Sequence, residues 1–253
     1  MTLQTTAGNI ADKVSAMLSQ PENAPTKFYC LVSTPRSGSK LFCDMMTSTG
    51  LAGDPKEWVN IRYIREFWKQ TAGQQGKFQK YLDTLIPQTT TENGVFALNL
   101  HVDQHQFLLK NKINIFKRIK FDKIYYLRRE DKIAQAISLA KARATDVWGS
   151  STRKPADYDQ KVAAITNAAI LQELQRLVAW EEIAHSGMQQ FDGVFNYEDF
   201  AFDPEQVAYR RIFDDLGIDL PAGVSFTTTK QKQATARDDE RRASLLRSVG
   251  LGE

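Results

Sequence analysis

The sequence predicts an α/β fold of P-loop-like, three-layer type, in which a central, mainly parallel sheet is flanked by helices. Three observations carry this. Short apolar runs of strand length, at 28–32, 94–100, 123–127 and 193–197, are bounded by turn-formers or charged residues. Segments with helical apolar spacing separate them, the alternation that produces parallel strands joined by helical crossovers. Each run also delivers a polar residue at its end: Arg36 after the first, His101 after the second, Arg129 after the third and Tyr197 at the fourth. In an open parallel sheet these ends converge on one edge, where ligands bind.

Taken in order, residues 1–27 read as an N-terminal helix (Ile10, Val14, Met17 and Leu18 on one stripe) and a linker between Pro21 and Pro25, and 28–253 as a single domain. The first strand runs into Pro35-Arg36-Ser37-Gly38-Ser39, and Leu41, Phe42, Met45 and Met46 then recur at helical spacing up to Gly50. Residues 60–86 predict two helices broken near 73–76. The second strand ends at His101, and Asp103 is the expected cap of a helix through Leu109. The stretch 110–123 holds six Lys and Arg, read as a solvated helix. A helix over 132–146 follows the third strand. A long helix is expected over 156–185, with Val162, Ile165, Leu174, Leu177, Val178 and Ile183 on its buried stripe. A helix over 204–216 follows the fourth strand, and 223–249 reads as a polar loop and a charged helix.

The stretch 28–41 organises the rest. A strand, a Gly/Ser turn and a helix start make an anion site, because the first-turn amides have no intrahelical acceptor and the helix dipole favours negative charge there. Gly38 lets the backbone approach an anion, Ser37 and Ser39 offer hydroxyls, and Arg36 and Lys40 supply charge. A plain junction capped by Ser39 is the alternative; two cations flanking the turn favour the phosphate reading. The Walker pattern Gly-x-x-x-x-Gly-Lys-Ser/Thr is not met.

Composition sets bounds on function. A net charge of +3 is too mild to argue for nucleic acid but suits an anionic cosubstrate. No apolar run reaches the roughly 18 residues of a membrane span. Residues 1–27 lack the charged and apolar regions of a secretory leader, and Cys30 and Cys43 read as buried thiols, so a cytoplasmic location is expected. His101 and His105 lie four apart but no carboxylate pattern accompanies them, and no metal is expected.

The loop resembles the phosphosulfate loop of sulfotransferases, Tyr-Pro-Lys-Ser-Gly-Thr, with Arg36 in place of the Lys. Arg36-Ser37-Gly38-Ser39 followed by Gly50-Leu51-Ala52-Gly53-Asp54-Pro55-Lys56-Glu57-Trp58 is similar to the bacterial trehalose 2-sulfotransferase family, which carries Arg-Ser-Gly-Ser-Thr and then Gly-x-x-Gly-Glu-Pro-x-Glu-Phe. Lys40 departs from that family's Thr. Arg129 and, nine residues on, Ser138 resemble the 3′-phosphate motif. Thr145-x-Val147-Trp148 and the Gln-Ala-x-Ser ending at Ser138 also match the group. Tyr197-Glu198-Asp199-Phe200 resembles the motif whose Tyr meets the adenine side, and Lys232-Gln233-Ala234-Thr235 resembles an Arg-Gln-Ala-Asn ending that closes over the nucleotide. The likeness covers most of 28–240, with the motifs in order.

The resemblance implies a sulfotransferase that uses 3′-phosphoadenylyl sulfate (PAPS) as cosubstrate and a hydroxyl of a sugar, glycolipid or similar small molecule as acceptor, without metal. The implied nucleotide site is Arg36, Ser37, Gly38, Ser39, Lys40, Arg129, Ser138, Tyr197 and Gln233. Sulfuryl transfer needs a base for the acceptor hydroxyl and cations on the leaving group, a task for Arg36. Glu57 matches the family's proposed catalytic Glu, with Trp58 beside it as an apolar face for a sugar ring. His101 is the rival base, at the strand end where phenol and hormone sulfotransferases carry their catalytic His; their preceding Lys is replaced by Asn99. A nucleotide-binding P-loop-like protein, kinase-related or non-catalytic, is the alternative, and a homodimer stays open as a partner state.

Overall fold

The computed structural model describes residues 10–71, 78–149, 152–188, 190–229 and 234–251. Its elements are α1 (Ile10–Leu18), β1 (Lys27–Ser33), α2 (Ser39–Ser48), α3 (Ile61–Gln70), α4 (Phe78–Thr89), β2 (Val95–His101), α5 (Val102–Lys110), α6 (Ile115–Arg118) and β3 (Lys123–Arg128). They continue as α7 (Lys132–Thr145), α8 (Tyr158–Ala163), α9 (Asn167–Gly187), β4 (Gly193–Asn196), α10 (Tyr197–Phe200), α11 (Val207–Leu216) and α12 (Ala236–Ser248). The four strands pair in the order β2-β1-β3-β4, all parallel.

Strand alternation sorts the core into two halves. Cys30 and Val32 of β1, Phe96, Leu98 and Leu100 of β2 and Tyr126 of β3 face the helices α1, α3, α4, α5, α7 and α9. Tyr29, Leu31, Val95, Ala97, Tyr125, Leu127 and Phe195 face α2 and α11 on the other side. The expected three layers follow directly: strands buried on both faces need helices on both. Val14 and Met17 put α1 into the larger half. Cys30 and Cys43 are free and lie in opposite halves, and burial pushes both thiols up, so they stay protonated. No described helix is long and apolar enough to cross a membrane.

Some expectations need correction. The stretch 156–185 is two helices, parted by Thr166, whose hydroxyl accepts from the amide of Ala169 and so starts α9 afresh. The buried stripe of α9 is Ile170, Glu173, Leu177, Trp180 and Ala184, at alternating steps of three and four; Val178 sits off it and is 46% exposed. Asp103 does not cap α5. The helix begins two residues earlier, at Val102 with His101 as N-cap, and Asp103 lies in its first turn, where its charge suits the dipole. Tyr197 opens α10 rather than closing β4. The break expected near 73–76 falls outside the described residues.

The sheet order puts a crevice where the crossovers after β1 and β3 leave in opposite directions, and the loops after both strands meet there. The chain entering that edge from α2 is fastened to β2: Lys56 bridges Leu98, and the amide of Asn99 donates to the carbonyl of Lys56 at 3.1 Å. Gly53 makes this approach fit. Its φ is +70°, and a Cβ there would lie 2.8 Å from Cβ of Ala97 and 3.0 Å from the backbone nitrogen of that residue. Gly53→Ala is therefore expected to cost about 1–3 kcal/mol from the left-handed backbone and the clash together. Urea unfolding checks this; a variant as stable as the parent would show that the turn relaxes freely.

Candidate active site

The turn after β1 is built from two left-handed residues, Arg36 (φ 67°) and Gly38 (φ 86°). Gly38 is the N-cap of α2, and no side chain caps the helix, so the first-turn amides have no side-chain partner. The hydroxyl of Ser37 is buried with no hydrogen-bond partner, an orphan donor in the same turn. The turn is braced from α7: Gln135, fully buried, donates to Thr34 Oγ1 at 2.9 Å and to the carbonyl of Pro35 at 2.8 Å. Ser39, at the start of α2, lies 3.2 Å from Nε2 of His101 at the end of β2.

Cations gather around it. Arg36 donates through Nε to Ser138 Oγ at 2.9 Å and through Nη1 to the carbonyl of Trp148 at 2.6 Å. Lys40 reaches the same carbonyl at 3.4 Å. Burial lowers the pKa of Arg36 and the charge of Arg129 lowers it further, against opposing pulls from Glu57 and Tyr158. Two guanidinium groups that raise each other's energy in a half-buried crevice are an arrangement an anion would relieve. Arg129 stacks over the ring of Tyr197 at 4.8 Å and lies 3.9 Å from Glu198, its Nε buried without a hydrogen bond. Tyr197 in turn lies on Gly38: a Cβ there would sit 2.3 Å from Cδ2 of the ring.

Glu57 stands across the crevice. Burial opposes its charge, but His101, Lys40 and hydrogen bonds from Gln104 (2.7 Å) and Asn60 (3.4 Å) outweigh that and hold its carboxyl down at about 2. His101 Nδ1 is 3.8 Å from Oε2. Trp58 offers no face to a ligand. It is 1% exposed, and its indole N–H donates to the carbonyl of Asp54 at 3.0 Å, so the expected sugar platform is a core residue. The rings that stay half-buried beside Glu57 and Arg36 are Tyr63, whose phenol is pushed up by burial and the Glu57 charge, and Trp148.

The structure thus brings Arg36, Ser37, Gly38, Ser39, Lys40, Glu57, His101 and Ser138 to one edge, with Arg129 and Tyr197 against the other side of the turn. Ser138 meets Arg36 rather than Arg129. Gln233 lies outside the described residues; nearby, Asp238 of α12 accepts from Lys141 of α7 at 2.9 and 2.8 Å, beside the helix that carries Ser138. Gln104 and Asn60 belong to no motif, and Gln135, the Gln of the Gln-Ala-x-Ser match, had no role read for it. Gln104 had one signal, its place three residues after His101, in the first turn of the helix that follows β2. His105 is buried against Phe116, away from this cluster, and among the described residues no group of three or more His, Cys, Asp or Glu is placed to hold a metal ion.

A family model described as "Stf0 sulphotransferase" matches residues 28–243. No curated protein sequence matches the chain. Among solved structures, the sulfotransferase domain of the olefin synthase from Synechococcus PCC 7002 aligns at 16% identity over 90% of this chain and 96% of that one, with a TM-score of 0.38.

The depressed carboxyl of Glu57 has a consequence for stability. A carboxyl whose folded pKa lies below its unfolded one stabilises the fold above the unfolded value, and that contribution is lost as pH falls toward the folded value. With about 2 against an ordinary 4.5, the loss falls between roughly pH 5 and 2 and amounts to on the order of 3 kcal/mol. Glu57→Gln should flatten the acid limb of unfolding free energy against pH in that window. An unchanged limb would mean that Glu57 is not held as a charged group.

Proposed function

Because this chain belongs to the Stf0 sulphotransferase family, we propose that it moves the sulfuryl group of PAPS to a hydroxyl of a carbohydrate or glycolipid-type acceptor. The observation that carries the reading is the uncapped start of α2, with the orphan hydroxyl of Ser37 beside it and Arg36 and Arg129 converging on it. On this proposal the loop amides, Ser37, Ser39, Arg36 and Lys40 hold the reactive phosphate, Arg129 and Ser138 the second, and Tyr197 the base side, with Gln233 added there from its motif alone. The cosubstrate supplies an activated sulfuryl group.

The residues divide the remaining work. As the acceptor oxygen bonds to sulfur, the bond from sulfur to the phosphate oxygen breaks and its electron pair stays on the phosphate. Arg36, Lys40 and the helix amides stabilise that charge, and Glu57 takes the acceptor proton. Support for Glu57 over His101 comes from occupancy. Both ring nitrogens of His101 face protein groups, Ser39 on one side and Glu57 on the other. Nδ1 faces the Glu57 carboxylate and Nε2 the Ser39 hydroxyl, which leaves the imidazole as a link rather than an open base. Tyr63 and Trp148 are the ring faces a sugar would use.

Arg129→Ala should weaken binding of adenosine 3′,5′-bisphosphate about tenfold or more, the worth of a charge-assisted contact. Unchanged affinity by calorimetry would take the second phosphate away from Arg129. In turnover with labelled PAPS, Glu57→Gln should lower kcat by about 10²–10⁴-fold with nucleotide binding intact. A dead His101→Gln beside an active Glu57→Gln would move the base to the end of β2.

A further inference from the structure

Glu57 is held unevenly. Its Oε2 accepts from Nε2 of Gln104 and from Nδ2 of Asn60, and faces Nδ1 of His101. Among the described residues nothing donates to Oε1. The main chain just before Glu57 is tied to β2 through Lys56, and α5 continues β2 without a break, so the strand that fixes the backbone also delivers the side chain of Gln104. Asn60 is shared: its Oδ1 accepts from the amide of Arg62 to cap α3, and only its Nδ2 turns to Glu57.

Gln104 is not shared. It is 9% exposed, its amide nitrogen goes to Glu57 at 2.7 Å, and its own Oε1 is buried with no partner. A side chain kept for stability would not leave a buried acceptor unpaired, since an apolar residue of the same volume avoids that cost. The amide is oriented by Glu57 alone.

We propose that Gln104 is a positioning residue for sulfuryl transfer, pinning Oε2 of Glu57 so that Oε1 is the oxygen presented to the acceptor hydroxyl. The inference rests on the reading of Glu57 as the base. The acceptor proton passes to Oε1 while the bond to sulfur forms and the bond from sulfur to phosphate breaks; Gln104 itself gains and loses no proton. The charged and titratable groups that face Glu57 are His101 from β2, Lys40 and Cys43 from α2, Arg36 from the turn and Tyr63 from α3. All of them remain when Gln104 is replaced.

The test uses Gln104→Met, which keeps the volume and removes the donor, beside Glu57→Gln, each in the full chain. Carbon-13 detection of the Glu57 carboxyl follows its titration directly, and turnover is measured with labelled PAPS and trehalose as the acceptor probe. Gln104→Met should raise the titration midpoint of Glu57, leave the melting temperature equal or higher, and lower kcat roughly tenfold to a hundredfold with KM for PAPS unchanged. An unmoved midpoint, or activity lost only in step with melting temperature, overturns the proposal. If Glu57→Gln turns over like the parent, the base reading falls and this one with it. If Glu57→Gln is dead while Gln104→Met keeps its kcat, only the positioning role is lost.

Discussion

The structure depends on one constraint: α2 must start without a cap of its own. Gly38 occupies the N-cap position in a left-handed conformation and brings no side chain to the first-turn amides. Much around the site reads as a consequence. Tyr197 packs where a Cβ would have been, Gln135 holds the turn through Thr34 and Pro35 because the turn cannot hold itself, and Ser39 reaches across to His101. A helix start without a side-chain cap favours negative charge, and Arg36, Lys40 and Arg129 lie around this one.

The second half of the site is an electrostatic counterweight. A carboxylate buried near a cationic turn survives as a charge only because His101, Lys40, Gln104 and Asn60 more than offset its desolvation. Glu57 and the turn cations Arg36 and Lys40 are held on separate strands, β2 through Lys56 and β1 through the turn, so strand pairing sets the spacing of their attachment points. In register, Ser33 of β1 lies opposite His101 of β2, which brings the two halves to the same height along the sheet.

Much of this was legible in the sequence. Strand runs buried on both faces read as continuous apolar segments, and the polar residues after them pointed to the sheet edge where the loops after β1 and β3 meet. The chain was less informative where two apolar residues stood side by side. Leu177 and Val178 look equivalent in sequence, and only the three-four spacing from Ile170 and Glu173 shows which one faces inward. Trp58 was misplaced for a related reason: its position next to Glu57 said nothing about which way the turn sends its ring, and the carbonyl of Asp54 decides that. Gln104 carries no motif, and Gln135 stands in the Gln-Ala-x-Ser match without that pattern saying what its amide holds. Their roles come from contacts across 47 and about 100 residues of chain, which no local pattern reports.

What completes the start of α2 is the central question. The direct measurement is a crystal structure of the protein with adenosine 3′,5′-bisphosphate. One phosphate should lie against the amides of residues 37–40 within hydrogen-bond distance of Ser37 Oγ and Arg36, and the other within reach of Arg129. A nucleotide bound elsewhere, with the turn left open and Ser37 still unpartnered, would contradict it.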